Sequence, residues 1–289
     1  MLPDTGMQTY EGCTSLKNIN LCNATHITKI PTNCFNGTGL EEVTIPDDVS
    51  LLQSGSFCNC KSLKYLYISL NSKLKTIEQN SFNGCTDLEY VHLPKTISTF
   101  GNNAFFNCTK AEGTIDFMND ATIGDGSFRN CAKLNFKHIN NISYFGTYSL
   151  SATSIKTAEI KENAFMSIRV FDDCKDLETF IFDGDITMTN WNYPIATNCT
   201  KLTSIIFKKP ISKLPSAAFQ GASALASIDL SNVASFSEGG IGNQMHNMET
   251  CIFSPTLIRI PARMFAYWDN TNLTVTIPAS VTEIGDEAF

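Results

Sequence analysis

A chain of 289 residues exceeds what one ordinary core can serve, so it implies several domains or one elongated domain. Hydrophobic residues make up 43% of it and charged residues only 17%, with a net charge of -7. That gives an ample core and a surface built mostly of Ser, Thr and Asn, and it argues against a nucleic-acid binder or an anionic-lipid binder, both of which need a basic patch. No apolar run approaches the roughly 18 to 20 residues that span a bilayer, and "MLPDTGMQTY" lacks the basic start and apolar stretch of a secretion signal.

In chain order, the first motif is LPDTG at residues 2–6. It matches a C-terminal anchoring pattern but stands at the wrong end, without the apolar stretch and basic tail that pattern requires; coincidence is the reading. From Tyr10 onward the chain repeats. The anchor position falls on Tyr10, Phe35, Phe57, Phe82, Phe105, Phe128, Leu150, Phe171, Ala196, Phe219, Ile241, Phe265 and Phe289, at spacings of 21 to 25 residues. Fixed-period self-similarity of this length is the signature of a stacked-repeat architecture, here one domain over 1–289 of about twelve repeats.

Three residues after the anchor stands Cys13, Cys60, Cys85, Cys108, Cys131, Cys174 or Cys199, with Thr38, Thr153 and Ala222 in the same slot elsewhere. The slot wants a small, buriable side chain. Eleven cysteines cannot all pair within one chain. Side chains pointing the same way from adjacent rungs suit a disulfide dihedral poorly, so free thiols are expected.

The next segment of each repeat reads L-x-x-I-x-I: LEEVTIP (40–46), LEYVHLP (88–94), LTSIIF (202–207) and LASIDL (225–230). Period-two alternation with β-branched residues predicts a short strand, and Pro after it ends the ladder. A second apolar pair follows, as in VTEIG (281–285). The anchor segment, NNAFFNC (102–108) for example, is too short for a full helix and predicts a turn of helix or 3-10. One repeat cannot bury its own apolar face; stacked repeats bury it continuously, with parallel strands. Two stretches depart from the rule. Residues 165–191 are irregular, and Lys137 in LNFKHINNI (134–142) falls where the strand should turn inward, which predicts a bulge.

The combination L-x-x-I-x-I-P, V-x-x-I-G and A-F-x-x-C resembles the BspA-like leucine-rich repeat family, with roughly 23-residue repeats. SFNGCTDLEYVHLPKTISTFGNNAFFNC (81–108), AAFQGASALASIDL (217–230) and TIPASVTEIGDEAF (276–289) carry it best. The resemblance implies a right-handed curved solenoid, with a parallel β-sheet on the concave face and short helical or 3-10 turns opposite. It also implies a place on the surface of gut or oral bacteria or of parasitic protozoa, and adhesion to host matrix proteins or other cells. Both ends enter a repeat part-way, so a fragment of a longer array is expected, with secretion signal and anchor outside this segment.

Catalysis would need a constellation that the sequence does not offer. His26, His92, His138 and His246 have no partners at metal-ligand spacing, and there is neither a nucleophile elbow nor a phosphate-cradling glycine loop. Asp172 and Asp173 read as surface turn residues before a core cysteine, and CNC (58–60) as one buried and one semi-exposed thiol rather than half a zinc site. No enzyme activity, metal or cofactor is expected. Sequons stand at Asn23, Asn36, Asn107, Asn141, Asn198 and Asn272; an Asn- and Thr-rich chain makes them by chance, and Asn107 and Asn198 fall in turns, where Asn satisfies backbone groups.

The outward strand positions are more informative. They run Glu42 and Thr44, Tyr65 and Tyr67, Tyr90 and His92, Thr114 and Asp116, and continue through Ile181, Ile206 and Ile252. Most are small and polar. Tyr65, Tyr67, Tyr90 and His92 form one aromatic cluster on adjacent rungs, the candidate ligand-binding site on the concave face; cross-strand stacking that only stabilises the sheet is the competing reading. A large shallow face suits a protein or glycan, such as host extracellular matrix, better than a metabolite. The expected protein is a monomeric, extracellular or cell-surface binding module. A structural spacer and an intracellular interaction scaffold are the alternatives.

Overall fold

The structure, a computed structural model, describes residues 9–22, 27–118 and 120–289. The LPDTG motif, the Asn23 sequon and His26 lie outside the described residues. The chain is a parallel-strand β-solenoid with almost no helix. It divides into two compact units, one up to Ser154 and one from Ile155.

In the first unit the L-x-x-I-x-I segments form a wide ladder: Glu42–Ile45, Tyr65–Ile68, Tyr90–His92, Glu112–Asp116 and Leu134–Lys137, each parallel to the next. The alternation drives this. Val43, Ile45, Leu66, Ile68 and Val91 are buried while the residues between them face out. The second apolar pair of each repeat, which the sequence marks only as apolar, makes a second parallel ladder: Lys29–Ile30, Leu51–Leu52, Thr76–Ile77, Thr99–Phe100, Ala121–Ile123 and Ile142–Phe145.

The anchor segments close each coil as stacked turns where helical or 3-10 turns were expected. Their N–H groups alternate in use. Phe82 donates to Ala104 of the next rung at 2.8 Å, and Cys85 donates back to Phe82 at 3.2 Å. Every second backbone group thus bonds between rungs, which a helical turn would not allow. Asn or Gly in the left-handed region makes the two corners, as at Asn80 (φ 58°) and Gly84 (φ 74°). The 3-10 turn of this unit lies elsewhere, at Ile139–Asn141.

The anchor rings form the predicted column. Tyr10, Phe35, Phe57, Phe82, Phe105 and Phe128 stack with centroids 5.4, 5.2, 5.4, 5.0 and 5.5 Å apart, close to the spacing of strands in a sheet. The cysteine column runs beside it and does more than fill space. Each thiol donates to the carbonyl of the previous anchor: Cys60 to Phe35 at 3.0 Å, Cys85 to Phe57 at 3.1 Å, Cys108 to Phe82 at 3.1 Å and Cys131 to Phe105 at 3.0 Å. Burial pushes the Cys131 thiol up to about 12 and raises Cys85 and Cys108 well above the ordinary thiol range, so the donor proton is held at neutral pH. Thr in the slot can also donate, although Thr153 does so to Leu150, the anchor of its own repeat, at 2.7 Å. Cys13 departs from the expectation of burial and is exposed.

The hydrogen bond is separable from the packing. Cys108→Thr and Cys108→Val have nearly the same shape, and only Thr keeps a donor for the Phe82 carbonyl. In urea unfolding we expect Cys108→Thr to be more stable than Cys108→Val by about 1 kcal/mol; equal midpoints would mean that the slot selects size alone.

Lys137 does not turn inward. It pairs in register with Asp116 and is exposed, while Leu134 and Phe136 take the inward slots. The irregularity falls later, in the second ladder between Ile142 and Tyr144.

In the second unit Thr157–Ile160, Thr179–Phe182 and Ser204–Phe207 form one parallel ladder, and Ser227–Leu230, Thr250–Phe253 and Thr274–Val275 form another. Two-residue pairs complete the coils, Phe165–Met166 with Thr187–Met188 and Arg259–Ile260 with Glu283–Ile284. The ring column breaks where the anchor is Ala196. Phe180 from the strand fills that region, edge-on to Phe171 at 5.4 Å and to Phe219 at 5.0 Å. Phe171 and Phe180 belong to the irregular 165–191 stretch of the sequence, and Ala196 follows shortly after it.

Candidate functional site

The aromatic cluster sits on the wide ladder of the first unit. Leu66 and Val91 point into the core, so Tyr65, Tyr67, Tyr90 and His92 must point out. Tyr65 opposes Tyr90 directly in the register. Their rings stack at 5.8 Å, and Tyr65 and Tyr67 stack at 6.2 Å. Tyr67 is 48% exposed and Tyr90 60%. Among the described residues no protein group hydrogen-bonds any of the three phenol hydroxyls or the His92 ring. The structure therefore brings all four candidate residues together.

One neighbouring rung corrects the sequence reading. Tyr90 and His92 are paired with Glu112 and Thr114, not with Thr114 and Asp116. The link between Cys108 and this strand is one residue shorter than in the preceding repeat, and Gly113 takes the inward slot. Along the face the order is Glu42, Tyr65, Tyr90, Glu112 in one column, with Thr44 beside Tyr67 and His92 beside Thr114.

Sequence reasoning did not find the cleft next to the cluster. A depression of about 820 Å³ opens at the ends of these strands, lined by Thr44, Ile45, Pro46, Asp47, Asp48, Leu66, Tyr67, Ile68, Ser69 and His92, with Cys22 and Ile27 at its margin. That volume lies in the range of small-ligand and side-chain pockets. The signal present in the sequence was Pro-Asp-Asp directly after the strand at 46–48, which reads as a turn and gives no hint of which rung lies behind it. Asp48 is paired with Lys73 at 2.7 Å. Asp47 has no ion pair among the described residues.

The remaining candidates are dispersed. His138 and His246 each hydrogen-bond one exposed-side carboxylate, Asp116 and Asp269, at 2.6 Å. His138 and Lys95 together hold the Asp116 carboxyl below the usual range. Among the described residues no three His, Cys, Asp or Glu side chains form a metal-binding group. Asp172 is not a surface residue, as the sequence suggested, but buried. The left-handed corner is the next residue, Asp173 (φ 57°); Asp172 before it accepts the Thr197 N–H at 2.9 Å and lies 3.6 Å from Arg169. Burial pushes its carboxyl up to about 6. Asp173 beside it is exposed, and Cys58 is half-buried next to buried Cys60.

Of the sequons, Asn107 (φ 61°) and Asn198 (φ 57°) occupy left-handed corners, and their amides are engaged by Asn130 and Asp173. Asn36 and Asn141 donate to Glu11 and Phe117. Asn272 is exposed. In the second unit Ile206 and Ile252 are 42% and 50% exposed and Ile181 is half-buried. No helix among the described residues is long and apolar enough to cross a membrane.

Comparison with known proteins agrees with this coil geometry. No curated protein matches the chain significantly. Among solved structures, the pneumococcal vaccine antigen PcpA is 16% identical over 91% of this chain and 80% of its own, with a TM-score of 0.53, and shows the same fold. A leucine-rich repeat protein from Bacteroides ovatus is 18% identical, covering 90% and 78%, with a TM-score of 0.38. A leucine rich cell surface protein from Faecalibacterium prausnitzii is 16% identical, covering 92% and 80%, with a TM-score of 0.37. The model of the BspA type leucine rich repeat region, which spans six copies, matches residues 2–112, 65–178 and 170–289. With the repeat unit, its coil and the match over nearly the whole length in agreement, the chain belongs to the BspA-type leucine-rich repeat family.

Proposed function

We propose that this chain is a non-catalytic, extracellular or cell-surface binding module that takes a macromolecular ligand, and that the Tyr65, Tyr67, Tyr90 and His92 face is where it does so. One observation carries the reading: three adjacent tyrosines stand out from a parallel ladder, with no protein partner for their hydroxyls among the described residues, beside a cleft. Tyrosine offers large contact area at small conformational-entropy cost, which is why it concentrates at binding hot spots. The surrounding outward positions, Glu42, Thr44, Glu112 and Thr114, are polar and not aromatic, so the aromatic surface is local. Members of this family, as the resemblance implies, stand on bacterial and protozoal surfaces and adhere to host matrix or to other cells; that supports the location and the type of ligand.

The test is a screen of the immobilised chain against matrix proteins, mucins and a glycan array, with Tyr65→Ala/Tyr67→Ala/Tyr90→Ala in parallel. The rings cover no core, so the variant should keep its circular dichroism and lose only about 1–2 kcal/mol from the two stacked pairs. We expect it to lose at least tenfold in affinity for any ligand the native chain captures. Undiminished binding would move the site elsewhere, and an empty screen would favour a structural spacer.

A further inference from the structure

We propose that the cleft beside Tyr67 and His92 receives a lysine or arginine side chain from a protein partner lying across the strand face. This rests on the binding-module reading and names the chemistry it recognises. The charge around the cleft is one-sided. Two carboxylates line it, Asp47 and Asp48, and no lysine or arginine does among the described residues. Lys73 compensates Asp48 from outside the lining, at 2.7 Å, which leaves Asp47 as a carboxylate with no counter-ion among the described residues. An unpaired carboxylate at the mouth of a cleft favours a cation and repels an anionic glycan or an acidic peptide.

The wall supplies the second half of a cation site. Tyr67 is half-exposed and lines the same cleft. An ammonium or guanidinium within about 6 Å of an aromatic face is attracted by the ring quadrupole. Thr44 and Ser69 line the rim and offer hydroxyl oxygens to the donor-only head of Lys or Arg. Ile45, Leu66 and Ile68 border the cleft but are nearly fully buried, so the exposed Tyr67 is the apolar surface against which the methylene stem of such a side chain packs. The acidic character continues along the face, where the tyrosine column is bounded by Glu42 and Glu112. Glu112 is paired with Lys133 at 2.7 Å, whereas Glu42 has no ion pair among the described residues. A partner segment with basic residues therefore meets unpaired negative charge at two places on one aromatic surface.

The test uses the full chain and defined probes. A short blocked peptide with two arginines spaced by glycine is titrated by calorimetry, beside its citrulline twin, which keeps the shape and loses the charge, and a neutral oligosaccharide. We expect the arginine peptide to bind at least tenfold more tightly than the citrulline peptide. Asp47→Asn, isosteric and on an exposed turn, should weaken it at least fivefold, as should Tyr67→Ala. Lys73→Gln, which removes the positive charge 2.7 Å from Asp48, should strengthen it two- to fivefold. Asp176→Asn, the same charge change in the second unit, should leave it unaltered. Equal binding of the arginine and citrulline peptides, or an Asp47→Asn chain as good as the native one, would overturn the assignment. So would absence of arginine-peptide binding in a chain that captures a ligand in the screen, and that result would leave the binding-module reading intact.

Discussion

Phe105→Ala should lower the stability of the first unit by about 3–5 kcal/mol, the range for deleting a fully buried ring. Phe105 has no exposed surface. It stacks on Phe82 at 5.0 Å and on Phe128 at 5.5 Å, and its edge meets Phe100 at 6.5 Å. Backbone on every side is tied between rungs, including the Phe105 N–H to Ser127 at 2.7 Å, so the cavity cannot collapse readily. A solenoid adds a second consequence. Each rung is stabilised mainly by its neighbours, so a hole in one rung weakens both interfaces it shares. Hydrogen exchange should therefore quicken in Tyr90–His92 and Glu112–Asp116 together. Phe105→Leu retains most of the volume and should cost less than half as much. A loss below about 1 kcal/mol for Phe105→Ala in urea unfolding, against the expected range, would mean that the ring column is not a filled core.

That column was legible in the sequence because a ring every 22 to 25 residues from Tyr10 to Phe128 has one economical explanation, a stack. The wide ladder was legible for a similar reason: three alternating positions suffice to fix which side faces in. The second ladder was seen only as an apolar pair, since two residues are too few to show alternation. The anchor segments, expected as a turn of helix or 3-10, keep i to i−3 bonds such as Cys85 to Phe82 and add alternate N–H groups that bond to the next rung, which no residue type announces. Asp172 looked like a surface turn residue because its neighbour Asp173 is one; Asp173, at the corner of the coil, is exposed and Asp172 before it is buried. The four-residue aromatic cluster needed only strand register, and the sequence supplied it. The cleft needed the ends of three successive strands and a turn to be placed together, and Asp47 gained its meaning only when Lys73 was seen to serve Asp48 instead.

The rung that the sequence misaligned gives the sharpest test of the face. In the inward slot where other rungs carry Val43, Leu66, Val91 and Leu134, this one carries Gly113. Judged by the repeat pattern alone, Gly113→Val restores a missing core residue and should stabilise. The structure says the reverse. Gly113 has φ 140°, a region that L side chains rarely adopt, and a Cβ there would fall 2.1 Å from the Val91 carbonyl oxygen and 3.1 Å from its carbon. Both are backbone atoms and cannot rotate away. The strained conformation alone costs on the order of 1–3 kcal/mol, and relieving the clash requires the strand to leave its partner. We expect Gly113→Ala to cost about 3 kcal/mol or more by this mechanism, and Gly113→Val more again. The Val91 carbonyl lies between Tyr90 and His92, so the same change should disturb the pairing of Glu112 with Tyr90 and weaken ligand capture on this face. If Gly113→Val instead matched or exceeded the native chain in thermal unfolding, Thr114 and Asp116 would be the true partners of Tyr90 and His92, and Glu112 would leave the site.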